Sequence, residues 1–309
     1  MTNQPFHEGE IAVQERAGER DIACRHGAGI GSRIAPGALS FLERQRLIAV
    51  SITGDDGRLW TSVWGGAPGF VHSDDGRRLE VSTSMAVLSP HDPVRTRVLA
   101  GRDIGILAIE LASRRRLRIN GTIDAGSSEL VVLVRESVGN CPKYIQRRQP
   151  SDVSSPESPV GSVERGNRLN GETRALIERA DTAFVGSVHP ERGVDTSHRG
   201  GSPGFIEVVD ASTLRMPDYP GNSLFMTFGN FAVDSRASLA VVDFDRGRLL
   251  SLSGSAQLEF DADDPHQLTG GTRRFWTFSI HEWVAFGLRP DVRWDLVDAS
   301  PFNPPRQAK

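Results

Sequence analysis

The sequence predicts a mainly β protein, two small β-barrels with short helices, and three observations carry that expectation. Short runs of apolar or alternating residues recur along the chain, bounded by Gly, Pro and Asp turn signals. Few stretches show helical spacing, and those few are short. A segment of the first half also returns in the second. Thr61-Ser-Val-Trp-Gly-Gly-Ala-Pro-Gly-Phe-Val71 and Thr196-Ser-His-Arg-Gly-Gly-Ser-Pro-Gly-Phe-Ile206 agree at seven of 11 positions, 135 residues apart. The same offset lays Phe41–Arg44 over Leu176–Arg179, and the apolar run at Ile48–Ile52 over Ala183–Val188. A period this long lies outside solenoid and propeller repeats and indicates a duplicated domain.

Bulk properties narrow the function. The chain has 309 residues, 24% charged and 38% hydrophobic, with a formal charge of −3. That charge gives no electrostatic case for nucleic acid or an anionic membrane. No apolar run approaches the roughly 20 residues that span a bilayer, and the N-terminus lacks the pattern of a signal peptide. Cys24 and Cys141 show no Cys-x-x-Cys spacing, which argues against a disulfide framework or a zinc site. A cytoplasmic protein is the expectation.

Residues 1–38 read as a polar, glycine-rich extension with a short helix within Glu8–Arg20 and a plain loop at Gly27–Gly31. The first copy, 39–149, opens with helical spacing over Pro36–Arg46, where Pro36 suits a first turn. Strands are expected at Leu47–Thr53, Leu59–Val63, Phe70–His72, Leu79–Ser82, Ile104–Leu111, Leu117–Ile123 and Leu130–Glu136. Asp55-Asp-Gly57 and Asp74-Asp-Gly76 are hairpin signals. Arg116, Arg118 and Asn120 fall on one face of a strand, expected to be solvated. From Asn140 a short helix is expected, with Asn140 as N-cap and Pro142 in its first turn. Lys143 and Arg147 would share one face of it, either as a solvated basic end or as an anion site with free N–H groups.

Residues 150–170 read as a linker rich in Ser, Pro and charge. The second copy, 171–309, opens with a helix at Glu172–Ala180 capped by Asn170. Strands are expected at Ala183–Val188, Phe205–Val209, Leu224–Thr227, Ser238–Phe244, Leu249–Leu252, Ala256–Phe260, Arg273–His281 and Val292–Val297. The stretch Thr196–Ile206 reads as a tight loop left bare of side chains by its glycines.

The order of these motifs is similar to that in the pyridoxamine 5′-phosphate oxidase-like flavin-nucleotide-binding proteins. The resemblance rests on the Gly-Gly-x-Pro-Gly-Phe loop, Leu214-Arg-Met-Pro-Asp-Tyr-Pro-Gly-Asn222, Asn140-Cys-Pro-Lys-Tyr-Ile-Gln146 and Ser300-Pro-Phe-Asn-Pro304. The last two resemble the two-copy branch of the group. It covers about His7 to Pro304 and implies tandem FMN-binding split barrels, with FAD as the alternative flavin. Ser197-His-Arg-Gly200 falls where relatives carry Ser-Pro-Arg-Gly beside the flavin. Arg199 would then hold the phosphate or stabilise charge at the ring; without a flavin it reads as a surface cation beside Asp195. Gly200 would bring its N–H to the ring, and Asn222 and Asn230 would bond ribityl or ring atoms or else cap turns. Leu224 and Thr227 stand where relatives carry cations. The phosphate is therefore assigned to Arg199, the hydroxyls of Ser223 and Thr227, or Lys143 and Arg147. His198 is the candidate proton donor, or else a hydrogen-bonding loop residue. Trp64 replaces Arg199 in the first copy, so one flavin site is expected, centred on the second. The implied activity is electron or hydride transfer between FMN and a reduced nicotinamide, NAD(P)H, or a small organic substrate. The rival is a flavin carrier or a module that docks with a reductase partner; a homodimer is also expected.

Overall fold

A computed structural model describes residues 5–125, 129–152, 162–288 and 292–304. It is mainly β, two curled antiparallel sheets of split-barrel type with short helices around them. In the first half the strands are β1 (Leu47–Thr53), β2 (Leu59–Gly66), β3 (Val71–His72), β4 (Arg78–Val81), β5 (Ala86–Val87), β6 (Asp103–Glu110), β7 (Arg115–Ile123) and β8 (Leu130–Gly139). Strands β9 (Arg147–Asp152) and β10 (Glu164–Gly166) connect the halves. The second half holds β11 (Thr182–His189), β12 (Gly193–Gly200), β13 (Glu207–Val208), β14 (Thr213–Pro217), β15 (Arg236–Asp243), β16 (Arg248–Glu259), β17 (Phe275–Gly287) and β18 (Val292–Asp298). Five helices accompany them: α1 (Glu8–Arg16), α2 (Arg20–Gly27), α3 (Leu39–Glu43), α4 (Gly171–Arg179) and α5 (Met226–Val233).

The repeat read from the sequence appears in the pairing. The first sheet runs β3-β4-β8-β7-β6-β1-β2-β5, and the second runs β13-β14-β17-β16-β15-β11-β12. Matching β1 with β11 and β2 with β12 makes seven successive strands correspond. The sheets pack against each other through their matching strands, β12 over β6 and β7, and β2 over β15 and β16. Strand β1 is apolar along nearly its whole length because both faces are covered, as expected for a strand buried on two sides. The core around it continues into the second sheet through Phe184, Val242, Phe244 and Phe286.

Where the sheets meet, four hydroxyls replace apolar contact. Thr61 Oγ1 bonds Ser51 Oγ (2.7 Å) and Ser238 Oγ (2.6 Å), and Thr196 Oγ1 donates to Ser51 Oγ (2.7 Å) or the Gly105 carbonyl (2.8 Å). Thr61 and Thr196 are the repeat equivalents, and all four hydroxyl residues are fully buried. A Cβ on Gly186 would lie 2.3 Å from Ser238 Oγ and 2.5 Å from Thr61 Oγ1. Gly186 is therefore a glycine because of this cluster.

Several local expectations change. Thr196–Gly200 is strand, not loop, because it pairs along its length with β11, and the strand expected at Leu59–Val63 runs on to Gly66. The segment after β8 forms no helix, since Asn140–Gln146 is held by long-range bonds and Arg147 enters β9. Leu224–Thr227 is not a strand: Ser223 and Phe225 adopt positive φ (62° and 56°) and Phe225 becomes the N-cap of α5. Of Phe205–Val209, only Glu207–Val208 pairs. Leu249–Leu252 and Ala256–Phe260 fuse into the single strand β16. The linker is partly structured, with β9 pairing β18 and β10 pairing β17; its residues 153–161 lie outside the described residues. Nor is the N-terminal segment a detached extension. Helix α1 packs on α5 so closely that a Cβ on Gly9 would come 2.2 Å from Gly229 O.

Gly186→Ala should cost about 1–3 kcal/mol, the usual penalty for overpacking, measured by urea unfolding. Adding Ser238→Ala should recover part of that loss, because it removes the nearest of the crowding oxygens.

Candidate functional site

One cleft gathers most of the residues singled out from the sequence. Strand β12 forms its floor with Ser197, His198, Arg199 and Gly200, the turn before α5 gives Asn222 and Ser223, and the first turn of α5 gives Thr227. From the first half come Lys143 and two residues of β7, Arg116 and Arg118. Asn230 and Arg147 lie elsewhere. Asn230 faces the N-terminal helices, accepting from His7 Nε2 (3.0 Å) and donating to Ser187 Oγ (2.9 Å). Arg147 is ion-paired with Asp298, so the helical pairing of Lys143 with Arg147 dissolves with the helix.

The arginines of β7 were expected to face solvent. They face β12 instead, because the second sheet covers that side of the first. Arg118 Nε lies 3.0 Å from Asp195 Oδ1 and its Nη2 donates to Ser197 Oγ (2.8 Å). Both side chains of that ion pair are about 5% exposed or less. Asn120 Nδ2 donates to Asp195 as well (3.2 Å). Arg116 Nε donates to the Cys141 carbonyl (2.8 Å) and Nη1 reaches His198 O (3.4 Å). The strand's own pattern carries no signal of this burial, which comes from the packing of β12 on β7 when the copies pair.

Charge in the cleft is unbalanced. Asp195 answers Arg118, while Asp218 and Glu19 answer Arg274, at 2.9 and 3.0 Å. Arg116, Arg199 and Lys143 have no carboxylate at ion-pair distance among the described residues. Burial, with Arg199 next, pushes the Arg116 guanidinium down to about 9. Burial likewise lowers Arg199, opposed first by Asp218. Arg199 Nη1 donates to Ser197 Oγ and His198 O, both 3.3 Å, and its Nε has no partner. Helix α5 opens into the same cleft with no side chain capping its first N–H groups. Guanidinium groups and free helix N–H groups together favour an anion.

His198 is 3% exposed, and neither ring nitrogen has a partner. Burial pushes its pKa well below 6.5, with Arg116 and Arg199 acting in the same direction. Both influences disfavour the imidazolium form of the ring. Gly200 is explained by packing: a Cβ would lie 2.0 Å from the Tyr144 carbonyl.

Tyr144 closes one side of the cleft. Its backbone adopts φ 67°. It is held there by N–H donation to Ser300 Oγ (3.1 Å), by its hydroxyl on Pro220 O (2.9 Å) and by the Tyr219 ring at 4.8 Å. Gln146 Oε1 accepts from Ser300 N (2.8 Å) and Asn303 Nδ2 (3.1 Å). The motifs Asn140–Gln146 and Ser300–Pro304 thus form one physical unit.

The repeat-equivalent position in the first half has lost this character. Trp64, where the second half has Arg199, is 1% exposed and donates to Asp92 Oδ2 (2.8 Å). Ser62 Oγ donates to the same oxygen (2.6 Å), and Val94 N–H to Oδ1 (2.8 Å). Trp64 is packed into the core of the first half.

A second polar group, His7, Glu8 and His189, brings its ligand-capable atoms within 4.8 Å of one another. His7 Nδ1 accepts from Gly9 N, and His189 Nδ1 from Glu191 N and Arg192 N. Each proton therefore sits on Nε2, which leaves no free imidazole lone pair for an ion.

The fold and the cleft define a tandem split-barrel protein with a cation-lined cleft between its halves. No protein-family model matches the chain, and no curated protein matches it. Solved structures match parts of it. One is HupZ of Group A Streptococcus, with 14% identity and a TM-score of 0.30 over 43% of this chain and 98% of that chain. A Clostridium acetobutylicum protein described as related to general stress protein 26 of B. subtilis, in the pyridoxinephosphate oxidase family, has 12% identity and a TM-score of 0.28. That match covers 41% of this chain and 92% of the other. An FAD-binding protein of Mesorhizobium loti has 11% identity and a TM-score of 0.29, over 40% and 98% of the two chains.

Because its folded pKa lies below the ordinary value, His198 contributes stability that is present above about pH 6.5 and lost as pH falls. His7, pushed down to about 4 chiefly by burial, acts in the same sense. His198→Gln should flatten the decline in unfolding free energy between about pH 6.5 and 5. An unchanged slope would show that the ring titrates in the folded protein as it does in the unfolded chain.

Proposed function

We propose that the cleft binds a flavin nucleotide, FMN in the first instance and FAD as the alternative, and that the protein is an oxidoreductase. The supporting observation is the convergence of Arg116, Arg199 and the open end of α5 beside an apolar wall. That wall includes Phe205, Met216, Leu224 and Phe228. The cationic end suits a phosphate and the apolar wall suits a flat ring. Arg116 and Arg199, with Lys143, are assigned to the anion, and Ser197, Ser223, Thr227 and Asn222 to its polar contacts. Arg118 positions Ser197. The site belongs to the second copy, 171–309, and is completed by the first, 39–149, through β7 and Tyr144.

Bound flavin would supply the redox chemistry, accepting a hydride or electrons from NAD(P)H or a small organic substrate. The chain's own part is to orient the ring, exclude water and set the charge around it. His198, neutral and enclosed, is assigned an N–H donor role toward the ligand. Its neutrality also favours a second reading, a flavin carrier that passes electrons to a reductase partner without acid–base chemistry of its own. A cytoplasmic setting fits either reading.

The visible absorption spectrum of the purified protein, followed by titration with FMN and FAD, tests the binding. A colourless protein that changes neither flavin's absorbance nor its fluorescence would remove the proposal. Arg199→Ala should weaken FMN binding roughly 10-fold or more, the scale of a lost charge-assisted hydrogen bond. Arg115→Ala, on the exposed end of β7, should leave it unchanged; equal effects would mean the site is misplaced. Anaerobic mixing with NADH or NADPH separates the enzyme from the carrier, since only the enzyme's flavin should bleach directly.

A further inference from the structure

Behind the Arg118–Asp195 pair lies a second chamber, of about 600 Å³. Its walls come from the N-terminal segment, β7, β8, the start of β12 and α5, and Met226 lines both this chamber and the cleft. Three carboxyl groups from separate elements face it, Glu10, Glu136 and Asp195. Asp195 is 3% exposed and Asn120 6% exposed, yet Asp195 Oδ2 and Asn120 Oδ1 have no hydrogen-bond partner. Each is an acceptor left open after its residue's other polar contacts are made. Arg118 takes Asp195 Oδ1, and Asn120 Nδ2 is directed to Asp195 Oδ1 and Glu136 Oε1. Buried acceptors of this kind cost about 1–3 kcal/mol each when unmatched.

We propose that this chamber is a binding site for a primary ammonium group. Such a group carries three N–H donors and no acceptor, matching Asp195 Oδ2, Asn120 Oδ1 and the Glu10 carboxylate. A divalent metal ion suits the site poorly. Asp195 Oδ1 is committed to Arg118, Glu10 Oε2 accepts the His7 backbone N–H at 2.9 Å, and a hard cation needs six or more oxygen ligands. The cations Arg135 and Arg192 stand at the mouth, each already answered by a carboxylate, Asp103 and Glu136.

The chamber's charge makes occupancy pH-dependent. Burial pushes the Glu10 carboxyl up to about 8, Glu136 and Asp195 raise it further, and the His7 N–H and Arg192 oppose. His7 and Cys24 also line the chamber, His189 stands behind His7, and Arg118 backs Asp195. At pH 7 Glu10 is mostly protonated, so an arriving ammonium ion must displace its proton, and binding tightens as pH rises toward 9.

Titration calorimetry with n-butylammonium chloride tests this. The expected result is saturable binding that strengthens between pH 7 and 9 with proton release, seen as heats that scale with the buffer's ionisation enthalpy. Tetramethylammonium, which has no N–H, should bind at least roughly 10-fold more weakly, a difference of about 1.4 kcal/mol. Glu10→Gln keeps the shape and should abolish the pH dependence, and Glu136→Gln should weaken binding while leaving that dependence in place. Equal affinity for the two cations, no saturable heat, or an unaltered pH profile in Glu10→Gln would each overturn the assignment. Circular dichroism of both variants keeps misfolding from being read as lost binding.

Discussion

The structure depends on how its two sheets meet, through hydroxyls at the centre. Ser51, Thr61, Thr196 and Ser238 form a closed set of bonds at full burial, where the low dielectric strengthens each satisfied bond and penalises each lost one. Leucines at these positions would tolerate a slide of one sheet over the other. Hydroxyls do not, because a shift of a residue would leave several buried oxygens without partners. Gly186 and Gly105 complete the constraint by letting backbones approach; a Cβ on Gly105 would lie 2.8 Å from the Asp195 carbonyl carbon. That registration puts β7 under β12, and from it follow the Arg118–Asp195 pair, the cleft on one side and the chamber on the other.

The two halves then show what a repeat can do with identical scaffolding. Seven strands correspond, and the residues that differ at matching places decide the chemistry. In the second half an arginine and an enclosed histidine leave donors pointing into a cleft. In the first, Trp64 and Ser62 spend theirs on Asp92, whose buried carboxyl is pushed up by desolvation but holds four hydrogen bonds. One arrangement is open to a ligand, and the other is internally complete.

Much of the strand order was legible because it follows local pattern. β1, β6, β7, β8, β11 and β15 carry apolar runs that pleating and burial explain, and the hairpin signal at Asp55–Gly57 ends in a glycine with φ 72°. The Asn170 N-cap of α4 was also readable, and the structure completes it as a capping box with Thr173. Failures came where distant segments override local preference. Asn140-Cys-Pro looks like a helix start, but the partners of this stretch are Ser300 and Asn303, far along the chain. Ser223 and Phe225 hold backbone conformations that no propensity favours, so the turn into α5 was read as a strand. In the site, the residues of β12 and the Asn222 turn could be found by motif. Arg116 and Arg118 could not, since their burial belongs to the pairing of the copies and not to their own strand.

The cleft has one more property that follows from its construction. Glu19 contacts it through Ser223 and Arg274, the first copy brings Arg116 and Tyr144, the second brings Arg199, and Ser300 fixes Tyr144 in place. Nearly every part of the polypeptide must therefore be present before the pocket exists. Emerging from a ribosome, the first sheet can collapse early, since domains fold as units in order of synthesis. The pocket itself is finished last, when the segment around Ser300 leaves the exit tunnel. A chain truncated before Ser300 would lack the contact that holds the Tyr144 backbone in the cleft wall.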